Sequence, residues 1–208
     1  MQEGSDKSPM DSAILTHIKI SPPHTLPIIA LYLQQSKTQI HTLMFTIRKA
    51  TTKDCGLIHD MASIVFPATY KEIISPEQLD FMMDWMYSPE NIRKQMEEEG
   101  HVYFIAYKGD EPCGYVSVQP QGENLFHLQK IYVLPAFQGQ HVGSFLFRQA
   151  IGYIKEIHPA PCLMELNVNR NNKALHFYEQ MGMRKLREGD FPIGNGYYMN
   201  DYIMGLDI

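Results

Sequence analysis

Cysteine is scarce in this 208-residue chain: there are three, Cys55, Cys113 and Cys162, odd in number and scattered. They form no C-x-x-C spacing, so the sequence offers neither a zinc ribbon nor a disulfide framework and fits a reducing compartment. A basic excess is lacking too. Lys and Arg number 18 against 23 Asp and Glu, for a net charge of −5 and a pI near 6.0. That leaves no electrostatic footprint for nucleic acid or an anionic membrane surface. Long apolar runs are absent: Leu26 to Leu33 is far too short to cross a bilayer, and it lacks the basic flank and cleavage site of a signal peptide. There is no internal repeat. What remains, 44% apolar and 20% charged residues, is the balance of a globular protein with one substantial core.

The first 43 residues differ from the rest. They are rich in Ser, Thr, Pro, Gln and His and have no clear period, whereas Met44-Phe45-Thr46-Ile47-Arg48 begins abruptly as a strand. We read residues 1–43 as a disordered extension or a start assigned too far upstream, and residues 44–208 as the folded domain.

Within that domain, Asp54 to Phe66 reads as a helix with Leu57, Ile58, Met61, Ile64 and Val65 on one face. Ser75-Pro76-Glu77-Gln78 and Ser88-Pro89 are helix starts, each a serine cap followed by proline at the first position. Val102–Tyr107, Gly114–Val118 and Asn124–Leu134 read as strands, the first two joined around Lys108-Gly109-Asp110-Glu111. A helix over Val142 to Ile157, a strand over Cys162–Val168 and a short helix follow, then strands at Arg184–Glu188 and Tyr197–Leu206. The pattern predicts an α/β domain with a mixed sheet and helices on both faces.

The most specific stretch is Ile131-Tyr132-Val133-Leu134-Pro135-Ala136-Phe137-Gln138-Gly139-Gln140-His141-Val142-Gly143-Ser144. It is a strand stopped by proline, a loop with two glycines, and a helix start. Free N–H groups and the positive dipole end at such a start suit a phosphate. G-x-x-x-x-G-K-[ST] and G-x-G-x-x-G are both absent. A second block, Leu163 to Met183, runs strand, asparagine-rich turn (Asn169, Asn171, Asn172), and a helix ending Phe177-Tyr178-Glu179-Gln180-Met181-Gly182.

Together, and in this order, the two blocks resemble the GNAT acetyltransferases, whose acyl-CoA loop is Q/R-x-x-G-x-G/A. Gln138-Gly139-Gln140-His141-Val142-Gly143 fills that pattern, except that His141 stands where the first glycine is usual. The resemblance covers most of the chain from about Met44 onward. It implies a mostly antiparallel central sheet of about seven strands, flanked by helices and splayed at the acyl-CoA site. It implies acetyl-CoA as cosubstrate and no metal. The pyrophosphate would meet Gln138, Gly139, Gln140, His141, Val142, Gly143 and Ser144, and the pantetheine arm the backbone of Ile131, Tyr132 and Val133.

By the same resemblance, Tyr178 protonates the departing thiolate; Asn171 or Asn172 contacts the cofactor, depending on which end of the turn is counted from. The family's glutamate base is replaced at the matching position by His127; at a second family position stands Asn167, which cannot act as a base, with Glu165 two residues away. The acceptor site falls on the segment from Phe66 to Tyr87, where Tyr70, Glu72, Asp84, Trp85 and Tyr87 are candidates to receive a cation; Tyr70 and Trp85 are the leading two. Part of that segment is similar to a bacterial subgroup that includes polyamine acetyltransferases. The implied reaction is acetyl transfer to a primary amine, either a small amine, a polyamine or a peptide N-terminus, by direct attack in a cytoplasmic ternary complex. A homodimer is compatible with it. The alternative is a non-catalytic acyl-CoA-binding or sensor module of the same fold.

Overall fold

In the computed structural model, which describes residues 45–208, hydrophobic periodicity becomes a seven-stranded sheet with an apolar core on each face. The expectations for residues 1–43 lie outside the described residues. The elements are β1 (Thr46–Lys49), α1 (Cys55–Tyr70), α2 (Pro76–Tyr87), α3 (Pro89–Glu97), β2 (Val102–Lys108), β3 (Glu111–Gly122) and β4 (Leu125–Val133). Then come α4 (Val142–Ile157), β5 (Leu163–Asn169), α5 (Leu175–Gln180), β6 (Arg184–Gly194) and β7 (Tyr197–Asp207). Strand order is β1-β2-β3-β4-β5-β7-β6, and every pair is antiparallel except β4 with β5.

Strand alternation sends side chains to two separate cores. Leu146, Phe147, Ala150 and Ile154 of α4 pack with Phe104, Val116, Leu128 and Leu166 on one face. Ile58, Met61, Val65 and Phe66 of α1 pack with Met82, Tyr87, Ile92, Ile105 and Tyr115 on the other. The serine caps are as expected: Ser75 Oγ accepts from Gln78 N at 3.2 Å, and Ser88 Oγ from Asn91 N at 3.4 Å.

Three elements run well past their expected ends: β3, which spans Glu111–Gly122, α1 and β6. α1 continues through Pro67 to Tyr70, and Lys71 N still donates to Pro67 O at 3.0 Å. An interior proline costs a helix about 3 kcal/mol or more. Burial of Phe66 and Tyr70 on the core face outweighs it here. β6 runs to Gly194 although most of its side chains are exposed. It is an edge strand, held by its ladder to β7 rather than by an apolar face, and an edge is where Pro192 can be accommodated.

Candidate active site

β4 and β5 pair only over Leu125–His127 with Leu163–Glu165, then separate. The cause lies in β4: its register against β3 shifts between Ser117 and Val118, leaving Gln129 as an extra residue. Such a bulge bends its strand. Beyond it, β4 follows β3 while β5 follows β7, and the sheet opens between them. Leu134 N donates to Cys113 O at 2.9 Å, so antiparallel alternation turns the N–H groups of Ile131 and Val133 toward the open edge. An unpaired strand edge is a ready template for an extended ligand.

The loop after β4 is held from within. Gln138 Nε2 donates to Val133 O at 3.1 Å, Gln140 Nε2 to Ala136 O at 3.0 Å, and Lys108 Nζ to Gln140 Oε1 at 3.1 Å. Gly139 has φ 75° and His141 has φ 65°, both left-handed. His141 therefore adopts the backbone that a glycine would take there, at a cost of roughly 1–2 kcal/mol for a residue with a Cβ. The loop path survives the substitution. Val142, Gly143 and Ser144 form the first turn of α4, where no intrahelical acceptor exists for their N–H groups. A Cβ on Gly143 would lie 3.5 Å from the Phe177 ring and 3.9 Å from Val133, so this turn abuts both α5 and the end of β4.

α5 starts from an asparagine turn: Asn169 Oδ1 accepts from Asn171 N at 3.0 Å and Asn172 Oδ1 from Ala174 N at 2.9 Å. It carries Tyr178, buried in the core on the α4 side. Tyr70, at the end of α1, belongs to the core on the opposite face. Between these two cores the sheet is open where β4 and β5 part. Burial pushes the Tyr178 phenol up and Tyr70 adds to it, so Tyr178 is a neutral O–H donor. Burial also raises Tyr70; hydrogen bonding toward Tyr132 and Asn172 offsets part of this, and the Asp201 carboxylate adds to it. Tyr70, Tyr132, Asn172 and Tyr178 thus converge on the opening. Asn172, half-buried, faces this cluster, while Asn171 is exposed.

A family model described as "Acetyltransferase (GNAT) family" matches residues 66–183, more than half of the chain. The chain belongs to the GNAT family. Among solved structures it is similar to the PaiA N-acetyltransferase of Thermoplasma acidophilum in complex with coenzyme A, at 20% identity and TM-score 0.65, covering 79% of this chain and 99% of that one. It is also similar to a ribosomal-protein alanine N-acetyltransferase of Escherichia coli, at 18% identity and TM-score 0.60, over 79% and 94% of the two chains. A spermidine N-acetyltransferase of Vibrio cholerae matches at 19% identity and TM-score 0.56, over 79% and 94%. At these identities the likeness concerns the fold, which is the splayed GNAT sheet expected above.

The residues expected at the base positions are His127 and Asn167. His127 sits at the apex of the opening, where β4 and β5 still pair, opposite Glu165. Burial, aided by Lys130 and Arg187 and opposed by Glu165, brings its imidazole down to about 4. It is neutral at pH 7 but poorly matched to taking a proton from an ammonium. Glu165 is committed: both its oxygens accept from Arg187 at 2.8 Å, and that guanidinium holds its carboxyl low. Asn167 donates from Nδ2 to Asp201 Oδ2 at 3.2 Å.

Tyr87 does meet a cation, but one belonging to the protein. Lys130 Nζ stands 5.7 Å from the ring centroids of Tyr87 and Tyr103 and donates to Gln95 Oε1 at 3.1 Å. Lys130 is only 6% exposed, and burial draws its ammonium down to about 7. Trp85 is 46% exposed and stacks on Phe81, which in turn meets Tyr197 of β7. It joins none of the site tyrosines in a ring contact among the described residues. Glu72 and Asp84 are exposed as well. Among the described residues no group of three or more His, Cys, Asp or Glu side chains is placed to hold a metal ion. Sequence reasoning missed Lys130 and Asp201. Both are charged residues inside strands, and the only available signal was a charge at a position whose neighbours are apolar.

Proposed function

We propose that this GNAT protein is an acetyl-CoA-dependent N-acetyltransferase that moves the acetyl group to a primary amine by direct attack in a ternary complex. The observation that carries the reading is the opening between β4 and β5 beside the first turn of α4, with the buried, neutral phenol of Tyr178 on α5, the helix that abuts that turn. In this reading the N–H groups of Gly143 and Ser144, with Gln138, Gly139, Gln140, His141 and Val142 shaping the loop, hold the pyrophosphate. The open edge at Ile131–Val133 pairs with the pantetheine arm, and a backbone N–H there polarises the thioester carbonyl. Asn172 is the better placed of the two asparagines for the cofactor, because its side chain faces the cluster. Tyr178 gives its proton to the departing thiolate. The acceptor enters from the α1–α2 side past Tyr70, with Trp85 at the rim.

A cytoplasmic site of action fits three buried free cysteines. A sensor module would need the cofactor cradle but not a proton donor facing through it, so the transferase reading is preferred. The test is thiol release from acetyl-CoA over a panel containing small primary amines, spermidine and peptides with free N-termini. Turnover with at least one class is expected; tight acetyl-CoA binding with no turnover on any would leave the sensor reading.

A further inference from the structure

Asp201, in the middle of β7 where its pairing with β5 begins, is 5% exposed, yet its Oδ1 has no hydrogen-bond partner among the described residues. Its Oδ2 takes a single bond, from Asn167 Nδ2 at 3.2 Å. Among the described residues no cation forms a salt bridge with it. Arg170 lowers its carboxyl through charge alone; its Nη2 pairs with Asp190 at 3.0 Å, and its buried Nε has no hydrogen-bond partner among the described residues. Leaving a buried carboxylate oxygen unpaired is costly. Folding alone gives no reason for it, whereas a site that must receive a cation does.

Its position fits that purpose. Asp201 pairs with Asn169 where β5 ends, and its charge acts on Tyr70, whose phenol is turned toward Tyr132 and Asn172. The carboxylate is thus on the acceptor side of the opening, on the same sheet face as Asn167, the GNAT base position that holds no base here.

Resting on the transferase reading, we propose that Asp201 anchors the acceptor's ammonium and takes its proton, so that the acceptor arrives as a cationic primary amine. One N–H bond of R–NH3+ breaks and the proton passes to Asp201 Oδ1. The freed lone pair forms the C–N bond to the acetyl carbon. The C–S bond breaks, and the thiolate takes the Tyr178 phenol proton. The second proton leaving the amide nitrogen restores the phenol, and Asp201 returns its own to solvent. The groups facing Asp201 support this. Burial raises its carboxyl, with Asn167 and Arg170 partly offsetting it, which brings it toward the range useful for accepting a proton. Tyr70 stays neutral beside it.

The test uses the full chain. Asp201→Asn keeps the shape and the bond from Asn167. It should bind acetyl-CoA as the wild type does, melt at the same temperature or higher, and lose turnover by about 10²–10⁴. Asn167→Ala removes the donor that holds the carboxyl down, so the acidic limb of the kcat/KM profile should move to higher pH. A folded Asp201→Asn protein with wild-type turnover and an unchanged profile would overturn the proposal. If the wild type binds acetyl-CoA but acetylates no amine, the transferase reading fails by itself. Asp201 is then decided by carboxyl ¹³C NMR of the coenzyme A complex titrated with spermidine and propylamine: a moved Asp201 resonance supports the anchor, an unmoved one refutes it.

Discussion

A Cβ built on Gly114 would lie 2.5 Å from the carbonyl oxygen of Tyr132 and 3.2 Å from Val133 Cα. β3 therefore sits against β4 at the segment whose other edge is open toward β5. Gly114→Ala should push β4 outward. We expect a loss of about 1–3 kcal/mol in stability and a fall in kcat larger than the fall in acetyl-CoA affinity, read by denaturant melts and steady-state kinetics. Wild-type kinetics in a folded variant would separate the opening from the position of β4.

Gly143→Asp should abolish acetyl-CoA binding. The new Cβ touches Phe177, and the carboxylate sits at the helix end proposed to meet a phosphate. Calorimetry on the folded variant checks this; retained micromolar binding would remove the cofactor assignment.

Tyr178→Phe keeps the ring in its core and removes only the proton. Turnover should fall by at least about tenfold with the acetyl-CoA Kd nearly unchanged. Equal rates would make Tyr178 a core residue only.

His127→Gln separates the two base assignments. Because burial holds the imidazole near 4, we expect turnover within about threefold of wild type, well below the effect of removing a general base. A loss of about 10² or more across neutral pH would return the role to His127.

Lys130 makes stability depend on pH in a direction that can be signed. Its ordinary value is 10.5, and burial lowers it to about 7 in the folded chain. Between those values the unfolded chain binds one proton more, so stability rises with pH across that window. Unfolding titrations from pH 7 upward, kept below the ordinary cysteine value of 9.0 because the three buried thiols are raised and act in the opposite sense above it, should show the rise, and Lys130→Met should flatten it. A slope that survives the substitution would mean that Lys130 reaches solvent.

Much of this protein was legible in its sequence because the signals are local. Proline after serine starts α2 and α3. The glycine loop between Val133 and Ser144, and the block from Leu163 to Gly182, place a phosphate-type helix start beside a tyrosine-bearing helix. Backbone preference and periodicity act over a few residues, so they read directly. What tertiary structure alone decided is long-range. One extra residue at Gln129 marks where β4 parts from β5, and that opening lies between the cores that hold Tyr178 and Tyr70. Glu165 looks free in the sequence but is taken by Arg187 from an edge strand, while Asp201, some thirty residues from Asn167 along the chain, is held by it across the sheet. A side chain's charge state depends on what is buried around it, and strand pairing, which brings distant residues into register, sets those neighbours only once the chain has folded.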